Sequence, residues 1–289
     1  MATLAVIGMG EMGSGVARRL IERGARVLTS LDGRSGASRE RAQAAGAEIL
    51  SDSELVAQTE ILLSIVPPSA AAATAERFVG IIEQSMNKPA FIDCNAIAPQ
   101  TLHEISAPFL QRGLRFGDAS IIGLPPKADG YSPRLYMSGD IAREAASVKS
   151  LGLETRVISG VLGDASAIKM AYAGITKGFQ AIGASMALGA ARAGAIDCLV
   201  AELRDTQPQL YAWLSKVLPV MYAKAYRWDD EMREIAKFLE PERGAADMLM
   251  GAGTLYRHVA QDNVAGPQSE IVSILDRFVH PKTGSLQHG

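Results

Sequence analysis

The sequence predicts an α/β doubly wound sheet followed by an all-α domain. Three observations carry this reading. Through the first half, short apolar runs alternate with helix-period segments. A G-x-G-x-x-G triplet lies between the first run and the first helix. Beyond Gly163 only helix-period segments remain. Strand–helix alternation at this spacing builds a parallel sheet with crossover helices, whereas a purely helical remainder packs as a separate layer.

The elements follow in order. Leu4 to Ile7 reads as a strand, and Glu11 to Arg23 as a helix, apolar at Val16, Leu20 and Ile21 and polar at Arg18, Arg19 and Glu22. Gly24 stops that helix as a left-handed cap. Val27 to Leu31, Ile61 to Val66 and Phe91 to Cys94 read as further strands. A helical stretch precedes each of the last two, and Pro67-Pro68 closes the Ile61 strand. Three more strands are expected near Leu114–Ala119, Leu135–Ser138 and Thr155–Ile158. Asp164 is the expected N-cap of a helix running to about Arg192. Further helices are expected over Ile196–Leu203, Gln209–Tyr226, Asp229–Leu239, Ala245–Ala260 and Ser269–Phe278, with a frayed polar tail from Pro281. The expected domains are residues 1–162 and 163–289.

The triplet Gly8, Gly10, Gly13 follows a strand at the start of the chain and opens an amphipathic helix. In that context it marks a Rossmann-type dinucleotide turn. Gly8 permits the tight turn, Gly10 lets backbone approach a pyrophosphate, and Gly13 lets helix and strand pack closely. The helix start, with Glu11 and Met12, presents N–H groups and a positive dipole end to phosphate. At the end of the second strand, an acid about 20 residues on favours NAD and an arginine favours a 2′-phosphate. Both types are present, as Asp32 and then Arg34-Ser35. Gly33 makes a loop tip that brings Arg34 and Ser35 onto a phosphate. The reading is NADP, with NAD through Asp32 as the alternative.

Composition narrows the function class. The 289 residues carry 29 basic and 31 acidic side chains, a formal net charge of -2, which gives no basic excess for nucleic acid or a membrane surface. Cys94 and Cys198 lie in apolar stretches, and the four histidines are scattered, so no metal site is expected. No uncharged run of about 18 apolar residues is present, and no targeting signal opens the chain. A cytoplasmic protein with a small-molecule substrate is expected.

Several segments together resemble the β-hydroxyacid dehydrogenase and 6-phosphogluconate dehydrogenase superfamily, in that family's order. They are VIGMGEMGSGVARRL (Val6–Leu20), Val66-Pro67-Pro68, FIDCNAIAPQT (Phe91–Thr101), DASIIG (Asp118–Gly123) and GVLGDASAIKMAYA (Gly160–Ala173). The resemblance implies that Val66, Pro67 and Asn95 face the cofactor and that Ser120, Ile122 and Gly123 lie at the substrate. It also implies that Lys169 is the catalytic lysine and that the chain forms a homodimer. Four positions depart from the family pattern, the first being Leu31, where NAD-using members place an acid. Ile122 stands where the family anchors substrate with serine, Ala173 where it has asparagine, and Ala96 where a threonine lies near the nicotinamide. The rest of the C-terminal half resembles a branch known as a domain of unknown function.

The residues argue for Lys169 independently. Lys169, Tyr172, Thr176 and Gln180 are offset by three, seven and eleven and share one helix face. Around them lie Ile168, Met170, Ile175, Phe179, Ile182 and Met186, so the helix is expected to be mostly buried, with one polar strip facing something wet. Desolvation in such a place lowers a lysine's pKa and suits it to proton transfer. Tyr172 orients or shares that role, and Thr176 and Gln180 face substrate. Lys177, off the strip, is structural. Asp118 reads as a strand-end cap, Arg227–Glu234 as a solvated face, and Arg243, Arg257 and His258 as surface residues. The expected activity is NADP-linked hydride transfer between a nicotinamide and a small hydroxy or carbonyl compound, with Lys169 as general acid or base. Imine reduction is a rival, which the lysine disfavours. A dinucleotide-binding regulator without turnover is another, which Ile122 and Ala173 keep open.

Overall fold

The computed structural model describes residues 1–33, 35–127, 129–242, 244–266 and 269–281. The first half runs β1 (Thr3–Ile7), α1 (Glu11–Glu22), β2 (Arg26–Thr29), α2 (Gly36–Ala45), β3 (Glu48–Ile49), α3 (Asp52–Gln58), β4 (Ile61–Ser64) and α4 (Pro68–Gln84). It continues with β5 (Ala90–Asp93), α5 (Pro99–Gln111), β6 (Phe116–Ile122), β7 (Arg134–Ser138), α6 (Ala142–Ser150) and β8 (Glu154–Ser159). Helices follow: α7 (Asp164–Arg192), α8 (Ile196–Thr206), α9 (Pro208–Tyr222), a 3-10 turn (Ala225–Arg227), α10 (Trp228–Phe238), α11 (Ala245–Asn263) and α12 (Glu270–Val279). The helix expected to reach Tyr226 therefore stops at Tyr222.

The eight strands form one sheet in the order β3-β2-β1-β4-β5-β6-β7-β8. The order reverses between β1 and β4, the switch point at which doubly wound sheets bind ligands. Strands β1 to β6 are parallel, but β7 runs antiparallel to β6. The sheet is thus the expected doubly wound one, mostly parallel, with an antiparallel step at β7. No helix lies among the described residues between β6 and β7, and a parallel return needs a crossover of roughly a dozen residues or more. Along β1, Leu4 and Val6 pack with Val16 and Leu20 of α1 on one face. Ala5 and Ile7 pack with Leu55 and Phe78 on the other. Burial on both faces explains why these strands read as unbroken apolar runs.

The chain forms two compact units, Met1–Ala171 and Tyr172–Gly289, so the division falls inside α7 rather than at residue 162. The first turns of α7 belong to the sheet unit because β6 holds them. The Asp118 carboxylate accepts from the Gly163 and Ser166 N–H groups at 3.1 and 3.0 Å and from the Ser166 hydroxyl at 2.8 Å. Asp118 thus caps α7 from 48 residues away in sequence, and Asp164 is the first helical residue rather than the cap. Burial raises the Asp118 pKa against these four donors, the fourth being the Ser138 hydroxyl.

In the helical unit, Gly183 of α7 lies against Leu214 of α9, and Gly174 lies against Ile235 of α10. The Tyr211 hydroxyl ties α9 to α12 by donating to the Phe278 carbonyl at 3.0 Å. The segment Arg227–Glu234 is not simply a solvated face. Glu231 is buried and pairs with Lys177, whose ammonium also lies 5.0 Å from the Trp228 ring centre. Asp229 takes Arg257 at 3.0 Å. Arg243 lies outside the described residues.

Candidate active site

The glycine turn sits at the carboxyl end of β1, and each glycine has a distinct structural reason. Gly8 has φ +100°, and a Cβ there would meet the Ile65 carbonyl oxygen at 2.2 Å. A Cβ on Gly13 would lie 1.9 Å from the Gly8 carbonyl oxygen, so this glycine sets how closely α1 approaches the turn. Gly10 differs, because a Cβ there meets nothing within 4 Å. Its space is open, and no side chain caps α1, whose N-cap it is. Glu11 is exposed at the helix start, and Met12 packs partly against the core. An open cradle over a helix N-terminus fits a pyrophosphate.

Leu31 is buried and Asp32 exposed after β2, whereas Arg34 lies outside the described residues. Ser35 occupies the N-cap position of α2 without a side-chain capping bond, and its Oγ lies 3.3 Å from the Ser38 Oγ. Sequence reasoning missed Arg41. Its Nε donates to the carbonyl of Met9, inside the glycine turn, at 2.7 Å, and its Nη2 reaches Ser38 Oγ at 3.4 Å. Ser35, Ser38 and Arg41 recur at threes along one helix face, a signal present in the sequence. That the arginine folds back onto residue 9 was not.

The next strand ends carry Val66, Pro67 and Asn95, the residues expected to touch cofactor. The Asn95 side chain is buried, accepts from the Val66 N–H at 2.7 Å, and donates to Asp93 and Ser64 at 2.6 and 3.2 Å. With both amide hydrogens and the carbonyl engaged, Asn95 locks the ends of β4 and β5 together rather than presenting a free group. Val66 is buried, and Pro67 is exposed at the start of α4. Burial beside Asp93 and Asp118 pushes the Cys94 thiol well up, so this cysteine is inert.

Strand β6 carries the remaining residues. Ser120, expected at the substrate, is fully buried within the sheet. Ile122 is half-buried at the strand end, and Gly123 follows, exposed, at φ +133°. A Cβ on Gly123 would strike the Tyr131 hydroxyl at 2.4 Å. Lys169, half-buried on α7, donates from Nζ to the Ile121 carbonyl at 3.0 Å. Its ammonium is therefore fixed at the carboxyl edge of the sheet, the edge that also carries the glycine turn.

The strip expected along α7 divides. Gln180 is buried, and its Oε1 finds no hydrogen-bond partner among the described residues. Thr176 spends its hydroxyl on the Tyr172 carbonyl at 2.9 Å. Tyr172 is 52% exposed, and so are Ile175, Phe179, Ile182 and Met186 to similar extents, whereas Met170 is buried. The helix is thus not mostly buried, and Tyr172 belongs to its exposed apolar face. Ala173 is buried, so the position where asparagine was expected faces the core.

Comparison with known proteins agrees with this geometry. Residues 3–151 match the family described as the NAD binding domain of 6-phosphogluconate dehydrogenase, and residues 190–259 match a domain of unknown function, DUF1932. An uncharacterised 28.5 kDa protein of Methanothermus fervidus is 26% identical, over 88% of this chain and 98% of its own length. A solved structure of a conserved protein of unknown function, described as similar to 3-hydroxyacid dehydrogenases, is 27% identical with a TM-score of 0.67, covering 90% of this chain and 98% of its own. The 3-hydroxyisobutyrate dehydrogenase of Mycobacterium tuberculosis has the same fold, with a TM-score of 0.70 at 17% identity, covering 96% of this chain and 98% of its own. No helix among the described residues is long and apolar enough to cross a membrane.

Proposed function

The chain belongs to the family of the 6-phosphogluconate dehydrogenase NAD binding domain, and from that premise we propose that it is an NAD(P)-dependent oxidoreductase acting on a small hydroxy or carbonyl compound. The observation that carries this is the pairing of an open glycine cradle at Gly10 with a fixed ammonium at Lys169 on one sheet edge. When bound, the nicotinamide cofactor gives or takes a hydride. The chain does the rest. Gly8, Gly10 and the start of α1 hold the pyrophosphate. Lys169 donates a proton to the substrate oxygen in reduction and removes it in oxidation. Its hydrogen bond to the Ile121 carbonyl aims the ammonium. Ile122, in place of a hydroxyl residue, favours a substrate that is not gripped there by a carboxylate.

NADP is the proposed cofactor. Ser35, Ser38 and Arg41 supply two hydroxyls and a guanidinium beside the turn, and in the sequence Arg34 precedes Ser35. NADPH should bind at least tenfold better than NADH, equivalent to about 1.4 kcal/mol. Fluorescence titration of the wild type, Arg34→Ala and Arg41→Ala checks this. Each variant should lose most of the preference while still binding NADH. Equal wild-type affinities would hand the ribose to Asp32 and make NAD the cofactor.

A further inference from the structure

One arginine of α1 holds a loop. Of the charged residues of this helix, Arg19 alone is buried. Its Nη2 donates to the carbonyls of Lys127 and Tyr131 at 2.8 and 3.2 Å, and its Nε lies 3.6 Å from the Glu22 carboxylate. Both carbonyls belong to the connection that leaves β6. That loop is also tied to itself. The Lys127 N–H donates to the Tyr131 carbonyl at 3.0 Å, and the Leu124 N–H donates to the Tyr131 hydroxyl at 3.1 Å. Pro125 and Pro126 stiffen it and rest on α1 at Gly15, where an added Cβ would lie 3.2 and 3.1 Å from them. A buried guanidinium is unfavourable unless its donors are used, so Arg19 favours the one loop position that satisfies it.

The anchor leaves the loop's large apolar side chains in solvent. Leu124 and Tyr131, joined by the hydrogen bond above, are 47% and 41% exposed, and Ile122 before them is half-buried. Leu124 lies three residues beyond Ile121, whose carbonyl holds the Lys169 ammonium. Adjoining apolar side chains kept exposed on a pinned loop mark a binding surface rather than an ordinary one. We propose that Arg19 is a positioning residue that fixes Leu124 and Tyr131 as an apolar wall beside the Lys169 ammonium, and that the substrate presents a hydrocarbon or aromatic group to this wall. The chemistry of the loop argues against an acid there. Its two charged residues, Lys127 and Asp129, cancel. The Asp129 carboxylate is turned to the Tyr131 N–H at 2.9 Å, and the Lys127 carbonyl to Arg19. Ile122 adds apolar surface where a hydroxyl would have gripped a carboxylate. The inference rests on the hydride-transfer reading and adds a substrate class to it.

Hydrogen exchange and steady-state kinetics test it together. In Arg19→Met the Leu124 and Lys127 amides should exchange about tenfold faster or more, the response to losing a charged hydrogen-bonding anchor. NADPH affinity should stay within about twofold, because the glycine turn is untouched. The wild type should turn over hexanal and phenylacetone with a kcat/KM about tenfold or more above that for succinate semialdehyde, the discrimination an apolar contact supplies. Arg19→Met should raise KM for the two apolar compounds by about tenfold with kcat nearly kept. Arg19→Lys, which can still donate to carbonyls, should recover part of that loss. If Arg19→Met does not fold, Leu124→Ser, at an exposed position, should give the same rise in KM. Preference for succinate semialdehyde overturns the proposal, whether or not Lys127→Ala removes that preference. So does faster loop exchange with an unchanged KM, which makes Arg19 a structural anchor only, and so does unchanged exchange in folded Arg19→Met. Turnover of none of the compounds by a chain that binds NADPH fails the hydride-transfer reading itself, and the proposal falls with it.

Discussion

Lys169→Met should lower turnover by about 10²–10⁴-fold, the usual contribution of a positioned general acid or base, while NADPH affinity stays within about twofold of the wild type, since single-site effects remote from a contact are small. The two halves of this expectation have separate causes. Methionine keeps the length and apolar stem of lysine, so the packing of α7 against β6 survives. It loses the proton and the hydrogen bond from Nζ to the Ile121 carbonyl. The proposed cofactor contacts sit elsewhere, on the glycine turn and α2. The pH profile of turnover should contain an ionisation that is absent from the variant. A substrate must first be found on a panel of alcohols and carbonyls by following NADPH absorbance. Tyr172→Phe should lose far less, because its hydroxyl lies on the exposed face of α7. Wild-type turnover in Lys169→Met on a verified substrate would move the proton to another donor.

Gly10→Val should abolish detectable NADPH binding and leave the fold intact. The geometry separates this glycine from its neighbours. A side chain at Gly8 or Gly13 would collide with backbone at 2.2 or 1.9 Å, so substitutions there damage the protein itself. A side chain at Gly10 meets no protein atom within 4 Å and has an ordinary φ of −72°. It occupies only the space a pyrophosphate would need. The thermal midpoint should stay within a few degrees of the wild type, a change of about 1 kcal/mol or less for a chain of this size. Loss of binding together with unchanged melting is the signature of a ligand-facing glycine. Gly13→Val should show the reverse order, with unfolding first.

The sheet was legible because its strands are buried on both faces and its turns carry glycine or proline. Leu4–Ile7 followed by Gly8 is readable by eye. The two-residue strand β3 was not, since two residues show no periodicity. The antiparallel β7 depended on the absence of a crossover helix, which is a property of the connection and not of the strand. Within the site, residues whose role is set by local backbone, such as Gly8 and Gly13, were read correctly. Side-chain contacts with distant partners were not legible. Asn95 is consumed by the Val66 N–H, and Asp118 by the start of α7. Arg41 reaches back 32 residues to the Met9 carbonyl. The burial of α7 was misjudged for a similar reason. Periodicity shows that a helix has an apolar face, but not whether that face is covered by its own chain.

On the proposed function, the sheet unit holds a nicotinamide dinucleotide on the Gly8–Gly13 turn. Calorimetric titration of the wild-type chain with NADPH tests it most directly. A saturable isotherm with one NADPH per chain is the expected result, with Gly10→Val silent under the same conditions. An isotherm with no heat of binding from a folded wild type, or equal binding in the wild type and Gly10→Val, would contradict it.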